Sequence, residues 1–168
     1  MLANRRIVLL LALVVAVAAG CSSHATMTMR QPKTSPIVPG HSVALKFASN
    51  GDEDSREVAQ ELRSELYGRL VSEGLFKQVL SAEEDADYAM DVRLSGVDVV
   101  SQGARIFLGV FAGANELTAD VVVRDKRSGD IITSFSVTGD SAAHPMSSEN
   151  DMDDAIDEVV TKIVGALR

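Results

Sequence analysis

Residues 116–138 read ELTADVVVRDKRSGDIITSFSVT, and this stretch determines the fold class. Residues 116–125 and 130–138 are rich in Val, Ile and Thr, which favour β-strands. The four residues between them, Lys126 to Gly129, are polar and end in glycine. Two such runs joined by a short glycine-containing turn predict an antiparallel hairpin.

The sequence upstream and downstream of this hairpin predicts three more strands and two helices. The strands are expected at residues 42–48, 76–80 and 87–100, and the helices at 52–72 and 151–167. In each helix the apolar residues recur at spacings of three and four, which places them on one face. We therefore predict an α+β fold with the order β-α-β-β-β-β-α, a mainly antiparallel sheet and both helices packed on one of its faces.

The N-terminus has the pattern of a secretory signal peptide. Arg5 and Arg6 precede an apolar run at residues 7–19, and small residues lead up to Cys21, the only cysteine. The small residues and the cysteine resemble a lipobox, in which the cysteine is acylated after cleavage. We expect removal of residues 1–20 and lipidation of Cys21; an ordinary secreted protein with a stray cysteine is the alternative.

Lipidation would anchor the protein to a membrane. Lipoproteins that this N-terminus resembles carry several acyl chains on that cysteine, which gives a permanent anchor. Residue 22 is Ser and not the Asp that commonly retains a lipoprotein in the inner membrane. The predicted location is the outer membrane, with the domain facing the periplasm, and the inner membrane stays an alternative.

Residues 21–40 are predicted to be a flexible tether, and residues 41–168 a single domain. The tether is rich in Ser and Thr and contains three prolines, at positions 32, 36 and 39. Fully extended, it would reach about 60 Å, so the domain could stand well clear of the bilayer.

Charge and composition exclude several classes of function. Cleavage removes two arginines and no acidic residue, which changes the net charge from −8 to −10. An acidic domain repels phosphate backbones, so we expect no nucleic-acid partner. No thiol remains once Cys21 is acylated, which excludes disulfides and thiol catalysis.

The motif search predicts no enzyme, no metal and no cofactor. The three histidines, His24, His41 and His144, are far apart and lack metal-ligand spacing. The acidic runs at 52–54 and 151–157 stand at helix starts, where negative charge is favourable, and lack the pattern of a calcium loop.

Residues 103–114, GARIFLGVFAGA, form the best candidate for a partner surface. The segment is apolar and glycine-rich, and an exposed apolar patch marks a contact with a partner or a membrane. The alternative is a connection that folds back onto the core. The candidate surface residues are Ile106, Leu108, Gly109, Val110, Phe111 and Gly113.

Several stretches together resemble the bacterial lipoprotein family known as domain of unknown function 4410. They are SVALKF, YGRLVSEGLFKQVL, ADYAMDVRLSGVDVV and the run from GVFAGANELTADVVV to DIITSFSV. The first half is also similar in topology to curli-secretion lipoproteins and to activators of penicillin-binding proteins. Because a fold does not fix a function, the resemblance transfers no catalytic residue.

Two functions remain open at this point. The first is a lipid-anchored, non-enzymatic module of the cell envelope that binds an envelope protein or associates with itself. The second is a small-ligand binder or an enzyme whose site is built from scattered polar residues. A deep pocket with convergent polar groups would favour the second.

Overall fold

The computed structural model describes residues 23–49, 51, 53–81, 85–99, 114–141 and 151–168. The elements are β1 (His24–Gln31), β2 (Ser42–Ser49), α1 (Glu53–Ser72), β3 (Gln78–Leu80), β4 (Tyr88–Asp98), β5 (Glu116–Asp125), β6 (Ile131–Asp140) and α2 (Asp151–Leu167). From residue 42 onward, this is the predicted order, and the α+β class is confirmed.

The predicted hairpin is formed by β5 and β6, which pair antiparallel from Glu116↔Asp140 to Arg124↔Ile131. The turn is held by Asp125, whose Oδ1 accepts hydrogen bonds from the backbone N–H groups of Arg127 and Ser128 at 2.7 and 3.2 Å. Gly129 has a φ of 80°, a conformation that L side chains rarely adopt. The turn sequence therefore fixes the register between β5 and β6.

The six strands form one mixed sheet in the order β1-β6-β5-β4-β2-β3. Strands β4, β5, β6 and β1 are antiparallel neighbours, whereas β2 pairs parallel with both β4 and β3. The sheet is mainly antiparallel, as predicted, but it is mixed at one side because β2 lies between β3 and β4 and is parallel to both. Helix α1 crosses over from β2 to β3, and such a crossover joins parallel strands.

The prediction of a flexible tether at residues 21–40 is wrong for residues 24–31, which form strand β1. Residues 24–31 pair with β6 from His24↔Asp140 to Gln31↔Ser134, so they form an edge strand of the sheet. Ala25, Met27 and Met29 alternate with Thr26 and Thr28, which is the two-residue period of a strand. The nearby prolines begin only at position 32, beyond the end of the strand.

Both helices pack on the same face of the sheet and against each other. The predicted apolar stripes form the core: Leu62, Leu66 and Leu70 of α1 and Val159, Ile163 and Leu167 of α2 are at most 1 % exposed. They meet the inward residues of the central strands, such as Met90, Val121 and Phe135. Within the described residues, no helix is both long and apolar enough to cross a membrane.

Candidate functional site

Among the described residues, no helix packs on the second face of the sheet, and most of the side chains there are polar. Because side chains alternate along a strand, every second residue points to this face. We call it the outer face, and its accessible members include Thr26, Thr28, Arg30, Lys46, Ala48, Asp91, Arg93, Asp98, Glu116, Thr118, Asp120, Val122, Arg124, Ser134, Ser136, Thr138 and Asp140. All of them are exposed or half-buried. A six-stranded sheet with one wet face leaves a broad surface for contact with another molecule.

Two cross-strand ion pairs order this surface. The Arg30 guanidinium on β1 donates to Asp120 Oδ1 at 2.6 Å and to Ser136 Oγ at 3.1 Å. Ser136 in turn donates to Asp120, so the edge strand is tied to the two strands beside it. Closer to the middle of the sheet, Arg124 Nη1 donates to Asp91 Oδ2 at 2.5 Å.

A cleft of about 500 Å³ opens on the outer face between β2 and β1. It is lined by four basic side chains, Arg30, Lys46, Arg93 and Arg124, and by two acidic ones, Asp91 and Asp120. We call this region the basic cleft. Its excess of positive charge contrasts with the chain as a whole, whose net charge is −8.

The helix layer on the opposite side is acidic. Helix α1 contains five acidic and three basic residues, and α2 contains five acidic and one basic residue. Glu57 and Asp154 are among the exposed acids. The basic cleft and the helix layer therefore carry net charge of opposite sign.

One end of the outer face is acidic, as the helix layer is. Asp98, Glu116 and Asp140 lie opposite one another on β4, β5 and β6, in a single row across the sheet. His24 on β1 completes the row, with its Nε2 3.2 Å from Asp140 Oδ2. We call the end of the sheet that carries this row the His24 end.

A second cleft, of about 420 Å³, lies at the opposite end of the sheet. His41, Asp87, Tyr88 and the start of the β5–β6 turn line it. Asp87 Oδ2 accepts hydrogen bonds from the Ser42 backbone N–H at 2.8 Å and from the Ser42 hydroxyl at 2.9 Å. These two bonds, together with the nearby His41, lower the pKa of Asp87 below its ordinary value.

The order of these three side chains does not match that of a nucleophilic triad. In such a triad the imidazole stands between the serine and the carboxylate. Here the carboxylate of Asp87 stands between them, with Oδ2 on the Ser42 hydroxyl and Oδ1 3.4 Å from His41 Nδ1. The arrangement holds the first residues of β2 and β4 together.

The structure brings together only part of what the sequence singled out. His24 and His41 each face a carboxylate, at opposite ends of the sheet, whereas His144 lies outside the described residues. Within the described ranges, no three His, Cys, Asp or Glu side chains are grouped as metal ligands.

Cys21 and the candidate partner surface at Ile106, Leu108, Gly109, Val110, Phe111 and Gly113 also lie outside the described residues. Lipidation and an interaction at that segment therefore stay predictions. The residues that flank the segment are described: β4 ends at Asp98 and β5 begins at Glu116, so the segment joins two strands at the His24 end.

Sequence reasoning missed the outer face because its residues come from distant stretches of the chain. Arg30 falls within the predicted tether, and the local pattern around Asp91, Asp120 and Arg124 indicates only that they belong to strands. The alternation at residues 24–30 is the one available signal. It indicates a strand and thereby places Arg30 on the same face as Thr28.

Comparison with known proteins gives a family and a fold. The model of the family described as "Domain of unknown function (DUF4410)" matches residues 29–145. No curated protein matches the chain at a significant level.

Among solved structures, the chain is similar to two of PelC from Paraburkholderia phytofirmans, both described as dodecamers. One, a point variant, is 16 % identical, with a TM-score of 0.59 over 84 % of this chain and 97 % of that one. The other is 12 % identical, with a TM-score of 0.58 over 85 % of this chain and 96 % of that one. At these identities, the similarity concerns the fold alone.

Proposed function

The chain belongs to the DUF4410 family, whose name assigns no activity, and we propose that it is a lipid-anchored, non-enzymatic protein of the cell envelope that assembles with copies of itself. The observation that carries the proposal is the opposition of charge between the basic cleft and the acidic helix layer. A second copy can place its helices on the outer face of the first.

Charge complementarity argues for this contact over others. The basic cleft has four basic and two acidic side chains, and the helices of a second copy carry ten acidic and four basic residues. Surfaces of opposite sign steer association and suppress wrong pairings. A contact between two different faces is heterologous, and it closes into a ring when the rotation allows.

The PelC structures lend support at the level of architecture. They share this fold and are described as dodecamers, so the fold is compatible with an assembly of many copies. The geometry of Ser42, Asp87 and His41 does not support a serine-nucleophile enzyme, because the serine hydroxyl donates to the carboxylate and the imidazole faces the other carboxylate oxygen.

The envelope location rests on the N-terminus. We propose that Cys21 is acylated and that Ser22 directs the protein to the outer membrane, where the domain faces the periplasm. A fatty-acid analogue should label the wild-type protein in growing cells and should not label Cys21→Ser. Absence of label from the wild type would refute the anchor.

Self-association is tested by charge reversal. Arg93 is exposed in the basic cleft. We expect residues 23–168 to associate in sedimentation or native mass spectrometry, and we expect Arg93→Glu to abolish that association. Arg127→Glu is the matched control, since Arg127 is exposed in the β5–β6 turn, away from the cleft. It should leave the association unchanged.

A second reversal identifies the partner face. Adding Glu57→Lys and Asp154→Lys to the Arg93→Glu chain should restore association, because the new glutamate at position 93 of one copy can then meet a new lysine on the helices of the other. Equal association of the wild type and Arg93→Glu, or loss with Arg127→Glu, would refute a contact through the basic cleft.

A small-ligand function is the second candidate, and the cleft of about 420 Å³ near His41 and Asp87 favours it. Thermal-shift screening of envelope metabolites would test it directly. A ligand that raises the melting temperature of the wild type, and does so less for His41→Ala, would support this function over assembly.

A further inference from the structure

The N-terminal strand fixes how far the domain can be from its anchor. β1 begins at His24, and the backbone of His24 is paired with Asp140. Only three residue steps separate Cys21 from His24, which span at most about 10 Å. The 60 Å tether expected from the sequence is therefore not available, since residues 24–31 are part of the sheet.

The strands run between two distinct ends of the molecule. The His24 end carries the row of Asp98, Glu116 and Asp140, and both helices begin after strands that finish there. The opposite end carries the turn that contains Gly129 and the C-terminus of α2, where Lys33 Nζ donates to the Leu167 carbonyl at 3.2 Å. A strand of ten residues is about 30 Å long, so the two ends are about that far apart.

We propose that the His24 end of the sheet lies against the phospholipid surface and that the turn at residues 126–129 points away from it. The inference rests on the acylation of Cys21 given under the proposed function. The short connection holds the His24 corner near the headgroups. The charges on both broad faces disfavour the orientation in which one of these faces lies on the membrane. On its helix side the domain would have to dehydrate a layer with ten acidic residues, and on its outer face the ion pairs of Arg30 and Arg124. The row at the His24 end contains only three acidic residues.

The charges at the His24 end predict which kind of phospholipid this end contacts. Asp98 and Glu116 are exposed in the row at the His24 end, and Asp140 is partly exposed. Carboxylates at the interface are repelled by anionic headgroups, whereas zwitterionic headgroups have no net charge and do not repel them. The partner surface is therefore a zwitterionic phospholipid layer, such as one rich in ethanolamine headgroups.

The orientation can be measured by energy transfer on the lipidated full-length protein in vesicles of phosphatidylcholine and phosphatidylethanolamine. An acylated Cys21 leaves no free thiol, so a single new cysteine takes the dye. Val99→Cys labels the His24 end and Ser128→Cys labels the far end; both positions are exposed. An acceptor on the lipid headgroup should lie about 30 Å nearer to position 99 than to position 128.

A variant with ten Gly/Ser residues inserted between Ser22 and Ser23 is the matched control. It should float with the vesicles as the wild type does, but the difference between the two positions should disappear. Equal distances in the unmodified protein, or a shorter distance at position 128, would overturn the orientation. Failure of the wild-type protein to float with the vesicles would refute the anchor itself, and with it the orientation and the envelope location, whereas the charge reversals test self-association separately.

Discussion

Gly139 on β6 is a place where the sheet and α2 approach each other closely. A Cβ atom added there would stand 2.7 Å from the carbonyl oxygen of Ala155 and 2.7 Å from Val159 Cγ2. Real Cβ atoms essentially never approach other atoms so closely, and one of the two is backbone that cannot rotate away. The absence of a side chain at this position therefore allows the helix to lie on the sheet.

Gly139→Ala should accordingly destabilise the protein by about 1–3 kcal/mol, the usual cost of overpacking a core. Gly165→Ala is the control, because nothing lies within 4 Å of its added Cβ atom and alanine favours a helix by about 0.5–1 kcal/mol. Denaturant unfolding of both variants measures the two effects. Equal effects of the two changes would contradict the close contact.

The ionisation of Asp87 makes the stability of the fold depend on pH in the acidic range. Its pKa is lowered in the folded protein by hydrogen bonds from Ser42 and by His41, relative to an ordinary value of 3.8. A group with a depressed folded-state pKa contributes stability above its unfolded-state pKa and loses that contribution as the pH falls through the folded-state value. The loss therefore occurs below about pH 4.

Asp87→Asn should lower the stability at pH 7 and weaken its decline below about pH 4, as followed by thermal melting across pH. Asp130→Asn, at an exposed turn position, should leave both the stability and its acid limb nearly unchanged. A decline with acid as steep in Asp87→Asn as in the wild type would show that Asp87 does not cause it.

At the scale of elements, strand β1 departs most from the predicted organisation. It pairs with β6 along its length, buries Ala25 and supplies Arg30 to the outer face. Its free edge and the half-exposed Met27 and Met29 remain accessible. The strand thus joins the predicted anchor directly to the sheet.

A chain that begins at Pro32 should be less stable than one that begins at Ser23 by at least about 2 kcal/mol, since each lost backbone hydrogen bond contributes about 1 kcal/mol. Amide hydrogen exchange provides a second measure, because residues 25–29 should be protected in the longer chain. Equal melting temperatures and rapid exchange at those amides would support the flexible tether instead.

The elements with strong periodicity could be predicted from the sequence. Leu62, Leu66 and Leu70 share the buried face of α1, and the alternation in β5 and β6 indicates the hairpin and its turn. Local pattern does not encode which strand an element will pair with, and the position of β2 between β4 and β3 follows only from the helical crossover. The tether prediction is wrong at residues 24–31 because the serines and prolines around the strand obscure the alternation within it.

The candidate site could not be predicted as a unit. Arg30, Asp120 and Ser136 meet because three strands are in register, and they are as much as 106 positions apart in the sequence. Each is an ordinary surface residue when it is considered alone. Only the anchor at Cys21 has a local signature, and it follows from the order of charged, apolar and small residues around it.

The whole molecule has two opposed broad faces and two unlike ends. The outer face carries the basic cleft, and the helix layer is acidic; the His24 end is joined to Cys21 by three residue steps. If copies stand on a membrane by the same end, their broad faces meet side by side. The orientation at the bilayer and the contact between copies are thus compatible with each other.

Photocrosslinking from the basic cleft in intact cells tests assembly through this face most directly. A photoreactive amino acid in place of Arg93 should yield a covalent species of twice the mass of the protein, with the crosslinked peptides of the second copy drawn from α1 or α2. The same amino acid in place of Arg127 should yield none. Crosslinks from position 93 only to other proteins, or only to strands of a second copy, would contradict the assembly of the outer face against the helix layer.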